Sequence, residues 1–399
     1  MRKVAAVGVG QLPFRARYGD KTYLALAYEA TKRALEDAKL EIKDLDAVTY
    51  AIYCPVYMRQ EQPDIFLQDY LGMNGKPSLR ISAGAATGGC AMYASFNQVA
   101  SGLADIVLLV AVQKASDPFD FGTKSRWDGY RKTSMSGEMT WQRGVIAAGP
   151  VPISTVACVL PHMEKYGGPT LEQIAEVSVK NHENALANPN AQLKVHLTVE
   201  DVLNSRIIAW PTTMYECCLY SDGAAALILA SEEKARAITD TPIWISGLTT
   251  SYYSLHRLEP HMLGRMLGVA ESAKRAYDQA GIKDPLNELD VIELQDLTSG
   301  LEIIAYEELG LCPAGEGGKL VDEGIVYKNG KLPVNPHGGC VACGHVAGVC
   351  EVSSMGDVVL QLQERAGATQ VPIQKGRGLV ETICGVVSMS SVTIFERRG

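Results

Sequence analysis

Ala30-Thr-Lys-Arg-Ala-Leu-Glu-Asp-Ala38, followed by Leu45-Asp-Ala-Val48, returns later as Ser272-Ala-Lys-Arg-Ala-Tyr-Asp-Gln-Ala280, followed by Leu289-Asp-Val-Ile292. The Lys-Arg-Ala triplets begin at 32 and 274, 242 positions apart, and the Leu-Asp pairs at 45 and 289, 244 apart. Each unit reads as an Ala-rich helix feeding an apolar strand. Further on in each half lies a Gly-rich turn, Ala83–Gly89 and Gly338–Gly348, and each turn leads into an apolar helix. Gene duplication accounts for all of these coincidences at once. Chance likeness between amphipathic helices is the bland alternative, since the identities are few.

Around this repeat the chain alternates strand and helix: an apolar run Val4–Val9, a helix Tyr23–Lys39, a strand Leu45–Tyr53, then helix Asp64–Gly72, strand Ser78–Ser82, helix Cys90–Ala100 and the apolar strand Asp105–Val112. That order is α/β, and a strand as apolar as the last belongs inside a sheet. From Ser116 to Pro152 the composition shifts to Asp, Gly, Arg, Trp and Ser, a surface excursion of the kind that covers active sites. Helix Thr170–Ala187 and strand Gly223–Ala230 close the first half, giving two units, 1–240 and 241–399.

With 399 residues, 47% hydrophobic and 21% charged, the chain can bury a large core. A net charge of −8 with scattered Lys and Arg argues against nucleic acid or an anionic membrane as the main partner. The first twenty residues hold too short an apolar run for a signal peptide, so a cytoplasmic location with ten reduced cysteines is the expectation.

A strand that turns sharply through small residues into a helix exposes backbone N–H groups and the positive end of the helix dipole. Two such turns facing each other could hold oxyanions or lower a thiol pKa. The second turn is the more informative: Asn335-Pro-His-Gly-Gly-Cys-Val-Ala-Cys-Gly-His-Val-Ala-Gly348, where glycines allow close approach on both sides of His345. The alternative is a histidine that merely bonds a carbonyl. Cys340-Val-Ala-Cys343 has a zinc-like spacing, but it is a single pair, and no metal is assigned to this chain.

Asn335-Pro-x-Gly-Gly with Gly344-His345-x-x-Gly348 resembles the C-terminal histidine motif of thiolases, in particular the sterol-carrier-protein branch. Asn181-His182-x-Asn184, Asn188-Pro-Asn190, Ser221-Asp-Gly-Ala-Ala-Ala226 and Ala100-Ser-Gly-Leu-Ala-Asp105 agree, in order, across nearly the whole chain. The resemblance implies a five-layered αβαβα fold of two duplicated βαβαβαββ halves, a homodimer, and cleavage of a 3-oxoacyl-CoA by coenzyme A through an acyl-cysteine. It gives His345 the nucleophile's proton and a share of one oxyanion hole. The partner slot in that hole falls on Gln295 within Leu294-Gln-Asp-Leu-Thr298, where the family usually has Asn or His. Cys384, in Thr382-Ile-Cys384-Gly385, takes the place of the acid–base thiol, although the register leaves Thr382 as the alternative. Gly385 then lies near the second oxyanion hole.

The family's nucleophile turn aligns with Ala83-Gly-Ala85-Ala-Thr87-Gly-Gly89, so the thiol position is held by Ala85. Three explanations stand: an inactivating Cys→Ala replacement, a naturally silent subunit, or transfer of the role to Cys90. Cys90 lies one helical turn further in and reads better as a packed thiol. Arg126 and Arg131, in the basic run Lys124–Lys132, are candidates for the phosphates of coenzyme A. Phe119, Phe121, Trp127, Tyr130 and Trp141 are candidates for an aryl pocket. Thiolases of this branch also work with a small zinc-ribbon and OB-fold protein, which the resemblance implies as a partner. An acetoacetyl-CoA-forming acetyltransferase and a non-catalytic acyl-CoA-binding scaffold are the competing functions.

Overall fold

The computed structural model describes residues 2–118, 122–126, 129, 150–253, 260–384 and 389–397. Its strands are β1 Val4–Gln11, β2 Ala47–Ala51, β3 Ser78–Ile81, β4 Ile106–Lys114, a short hairpin of β5 Ile207–Ala209 and β6 Thr212–Thr213, β7 Asp222–Ser231, β8 Ile243–Tyr252, β9 Val291–Leu294, β10 Arg377–Cys384 and β11 Met389–Arg397. The helices that position the site are α1 Tyr23–Ala38, α2 Pro63–Tyr70, α3 Thr87–Ala100, α4 Leu171–Ala187, α5 Leu267–Ala280, α6 Ser299–Glu308 and α7 Cys350–Leu362.

The repeat is written in the strand order, β3-β2-β4-β7-β1-β8-β11-β10-β9. Outward from the middle, β1, β7, β4 and β2 match β8, β11, β10 and β9. In each half the two outer members pair in parallel and the other neighbours antiparallel. Among the described residues β3 is matched in the second half by a single parallel bridge, Ile292↔Val334, and as an edge strand its Ser78, Leu79 and Arg80 stay exposed. The two halves join through Ala5↔Trp244 and Ala6↔Ile243, so the nine strands are continuous, with one half-sheet in each half.

Close helix packing follows the same repeat. A β-carbon at Gly8 would lie 2.6 Å from the carbonyl oxygen of Ala34, and one at Gly247 would collide with that of Ala276. Ala34 and Ala276 are separated by the same 242 residues as the triplets, so each half uses a strand glycine to seat its Ala-rich helix. One apolar cluster holds α1 against the outer face of the first half-sheet, and another holds α5 and α6 against that of the second. The largest lies between the halves and contains α3 and α7. Helix, sheet, paired helices, sheet, helix makes five layers, as the family resemblance implies.

Element limits differ from the sequence reading by a few residues. Helix α3 begins at Thr87 rather than Cys90, because the glycines that read as turn are wound into its first residues. Most of the 116–152 excursion lies outside the described residues. Among those described, no helix is long and apolar enough to cross a membrane.

Candidate active site

The two Gly-rich turns meet at the N-termini of α3 and α7. A β-carbon at Gly348 would touch Thr87 at 3.3 Å, and one at Gly88 would stand 2.8 Å from Glu351 and 2.9 Å from the Gly348 carbonyl oxygen. Only glycine fits at that crossing. Gly84 takes φ +59°, and its α-carbon faces the Cys384 thiol at the end of β10. Thr382, two residues earlier on the same strand face, turns instead to Ser391 at 2.8 Å and to Gly89. Ala85, next in the chain to Gly84, is partly buried.

His345 is fixed by its backbone. Its N–H donates to the Leu219 carbonyl at 2.9 Å and to Ser221 Oγ at 3.2 Å, which explains Ser221 in the Ser-Asp-Gly motif. Asp222 acts elsewhere, since its carboxylate accepts from the backbone N–H groups of Tyr18 and Ser116 and from Ser116 Oγ. Burial pushes the His345 imidazole down to about 4, so it is neutral near pH 7 and able to accept a proton. Its Nδ1 lies 3.5 Å from Cys350 Sγ.

Gln295 lies in the same chain of contacts. Its Nε2 reaches Cys350 Sγ at 3.9 Å, its Oε1 accepts from the backbone N–H of Ile383 at 2.8 Å, and its own N–H donates to Glu381 at 3.3 Å. The side chain thereby ties β9 to β10 beside Cys384. Asp296 accepts from the Cys340 backbone N–H at 2.5 Å and from Asn181 at 2.9 Å. Beneath it Glu302 pairs with Lys180 at 2.9 Å and accepts from Asn181 and Asn335. The asparagines of α4 and Asn335 therefore brace the histidine turn rather than face a substrate. Asn188 adds a bond to the His337 carbonyl.

Several neighbours were not foreseen from sequence. Cys350 and Glu351 begin the first turn of α7, and the Cys340 and Cys350 sulfurs lie within 4.8 Å of each other. Burial raises the Glu351 carboxyl to about 8, so it is largely protonated at neutral pH. Their signal in the sequence is position: two chemically active residues directly after Gly348, at the start of a helix. Cys90 is nearer the site than its helical position suggested, since Cys384 and Glu351 both act on it electrostatically. Burial, with those two neighbours, pushes its thiol up to about 12, the reverse of an activated nucleophile. Arg126 donates to the Ser116 carbonyl at 2.7 Å. Arg131, Gly385 and the five aromatic candidates lie outside the described residues.

A nine-stranded duplicated sheet with a histidine turn, a helix-start turn and a strand-end thiol meeting between its halves is the arrangement that the thiolase resemblance implies. The chain belongs to the thiolase family: the profile described as "Thiolase, N-terminal domain" matches residues 4–200, and "Thiolase C-terminal domain-like" matches 249–397. The acetyl-CoA acetyltransferase of Methanothermobacter thermautotrophicus is 34% identical over the full length of both chains. Sterol carrier protein 2 of Bos taurus is 33% identical, with 93% of this chain and 68% of that protein covered. The benzoylsuccinyl-CoA thiolase subunit BbsB of Thauera aromatica is 28% identical, covering 93% of this chain and 91% of the other. Among solved structures, the Ltp2-ChsH2(DUF35) aldolase superposes with a TM-score of 0.79 at 24% identity over 99% of this chain and 98% of that one. Human mitochondrial 3-ketoacyl-CoA thiolase in complex with CoA does so with 0.73 at 18%, over 100% and 98%.

Proposed function

We propose that the chain is the acyl-CoA-handling subunit of a C-acyltransferase that cleaves a 3-oxoacyl-CoA with coenzyme A, and that Ala85 leaves it without the acyl-accepting thiol. One observation carries this reading: the turn of Ala85, the Cys384 thiol and the His345 turn meet at one crossing. In the full reaction a thiolate at 85 attacks the 3-oxo carbon, the C–C bond breaks, and the departing acyl-CoA enolate takes a proton. Cys384 supplies that proton, and coenzyme A then removes the acyl group. His345 takes the thiol proton and donates toward the thioester oxyanion, with Gln295 holding the wall beside it and Gly385 offering backbone N–H to the second oxyanion. Arg126 and Arg131 serve the phosphates of coenzyme A. The relation to BbsB supports a benzoylsuccinyl-CoA-type substrate, cleaved to benzoyl-CoA and succinyl-CoA, and the relation to acetyl-CoA acetyltransferases supports acetoacetyl-CoA as the alternative.

The test is the Ala85→Cys variant with aryl and aliphatic 3-oxoacyl-CoAs. Coenzyme A-dependent cleavage, an acyl adduct on the new thiol, and no such adduct on the unsubstituted chain are expected. A variant as inert as the parent that still binds coenzyme A would point to the scaffold function instead.

The methyl group at 85 favours a second reading, C–C cleavage with no acyl-enzyme, of the aldol type named for the Ltp2-ChsH2(DUF35) structure. A 3-hydroxyacyl-CoA would give its hydroxyl proton to neutral His345 as the bond breaks, and the acyl-CoA enolate would be protonated. The unsubstituted chain would then release a carbonyl compound and an acyl-CoA without consuming coenzyme A. For both readings we propose a homodimer through the exposed β3 edge and a small zinc-ribbon and OB-fold partner. The subunit designation of BbsB supports the partner. Light scattering and co-expression check both.

A further inference from the structure

His345 can act as a base only through a ring nitrogen whose lone pair faces the space between the two turns. A neutral imidazole carries one proton, and the hydrogen bond at one nitrogen decides what the other can do. The Nδ1 of His345 lies 3.5 Å from Cys350 Sγ, the ring's one hydrogen-bond partner among the described residues. Cys350 is buried and His345 is only partly so. Nδ1 is therefore the inward nitrogen, and Nε2 is left toward the crossing.

The direction of the Nδ1 contact follows from the other side of the same sulfur. Gln295 Oε1 accepts the Ile383 N–H at 2.8 Å, which fixes the amide and sends its Nε2 toward Cys350 Sγ at 3.9 Å. An amide nitrogen only donates, so the sulfur is an acceptor there. A thiol is also a weaker donor than an imidazole N–H and has lone pairs to spare. Both neighbours thus direct an N–H at the sulfur, and the His345 proton belongs on Nδ1.

Local geometry brings the two side chains together. Gly348 turns the chain with φ +84°, and the Cys350 N–H donates to the Val346 carbonyl at 2.9 Å as α7 begins. The His345 backbone is held independently by Leu219 and Ser221. The chemistry of sulfur matters as much. Burial pushes the Cys350 thiol up, so it stays uncharged near neutral pH. A carboxylate in that place would stabilise the imidazolium, whereas a thiol orients the ring and leaves it neutral. Burial alone sets the low value of the His345 imidazole, with no charged partner opposing it.

We propose that Cys350 is the positioning residue of the crossing: its sulfur accepts the Nδ1–H of His345 and an N–H of Gln295, and so leaves the Nε2 lone pair as the base. The proton taken from a thiol at 85 or from a substrate hydroxyl lands on Nε2, and the resulting N–H faces the oxyanion. One buried atom thereby aligns the two side chains assigned to that hole. The proposal rests on His345 acting as the base of C–C cleavage.

Selective ¹⁵N labelling of histidine reads the tautomer in the unsubstituted chain, with His345→Asn assigning the signal. Near pH 7 the proton is expected on Nδ1, with Nε2 bare. Cys350→Ala should mix the tautomers, and Cys350→Ser, whose oxygen also accepts, should restore the single one. In the Ala85→Cys background, Cys350→Ala should lower kcat about 10- to 100-fold, part of the roughly 10² to 10⁴ that a positioned base supplies, with KM unchanged. Cys350→Ser should recover most of that loss. A proton on Nε2 with Nδ1 bare in the unsubstituted chain would overturn the proposal, as would a folded Cys350→Ala variant with the parent's tautomer and kcat. The spectra need no turnover, so an inert Ala85→Cys variant would sink the thiolytic reading while the tautomer is still decided.

Discussion

The Cys384 thiol fills the space that a β-carbon on Gly84 would need. The glycine before Ala85 is thus fixed twice, by a left-handed φ of +59° and by the sulfur. Gly84→Ala should lower stability by about 2 to 4 kcal/mol, the sum of left-handed strain and overpacking. Urea unfolding checks this, and Gly84→Ala with Cys384→Gly should recover the packing share through a double-mutant cycle. Equal urea midpoints for the parent and Gly84→Ala would show that the thiol is not seated there.

Lys180 and Glu302 are fully buried, 2.9 Å apart, under the histidine turn. Removing one member of such a pair strands the other charge, which costs about 3 to 5 kcal/mol. Lys180→Met should therefore be among the most damaging substitutions away from the crossing of the two turns. Adding Glu302→Gln should restore part of the loss, because the neutral amide still bonds Asn181, Asn335 and Tyr306. Thermal melts of the single and double variants decide it, and a double variant no better than the single one would refute the pairing argument.

Much of this architecture was legible because duplication leaves its mark at long range. The 242-residue echo located α1 and α5, and the structure adds that Ala34 and Ala276 lie against Gly8 and Gly247. The two Gly-rich turns were legible because glycine at a close crossing tolerates no substitute. What sequence could not give was convergence across the fold. Cys350 and Gln295 lie 55 residues apart and Asn181 and Asp296 115 apart, contacts that no periodicity encodes. Spacing also paired Cys340 with Cys343, whereas the fold brings the Cys340 sulfur within 4.8 Å of the Cys350 sulfur and the His345 ring.

His345 gives a second check on the crossing. In the Ala85→Cys background, His345→Asn should lower coenzyme A-dependent cleavage by about 10² to 10⁴, the usual size of a lost proton-transfer group. Substrate binding should change little if, as proposed, Arg126 and Arg131 hold the phosphates of coenzyme A. Steady-state kinetics separate the two effects, and a rise in KM with kcat unchanged would remove His345 from the chemistry.

Glu216 offers a pH test independent of catalysis. It is buried, its carboxylate accepts the Thr213 N–H at 2.7 Å, and burial raises its pKa from 4.5 to about 7. Because the folded state prefers the protonated acid, the stability it contributes is complete below pH 4.5 and is lost as the pH rises through about 7. The difference amounts to about 3 kcal/mol. Glu216→Gln keeps an oxygen for the Thr213 N–H and has no proton to lose. Its urea midpoint should match or trail the parent's at pH 5 and exceed it at pH 8. Parallel midpoints across that range would mean that Glu216 ionises in the folded chain as readily as in water.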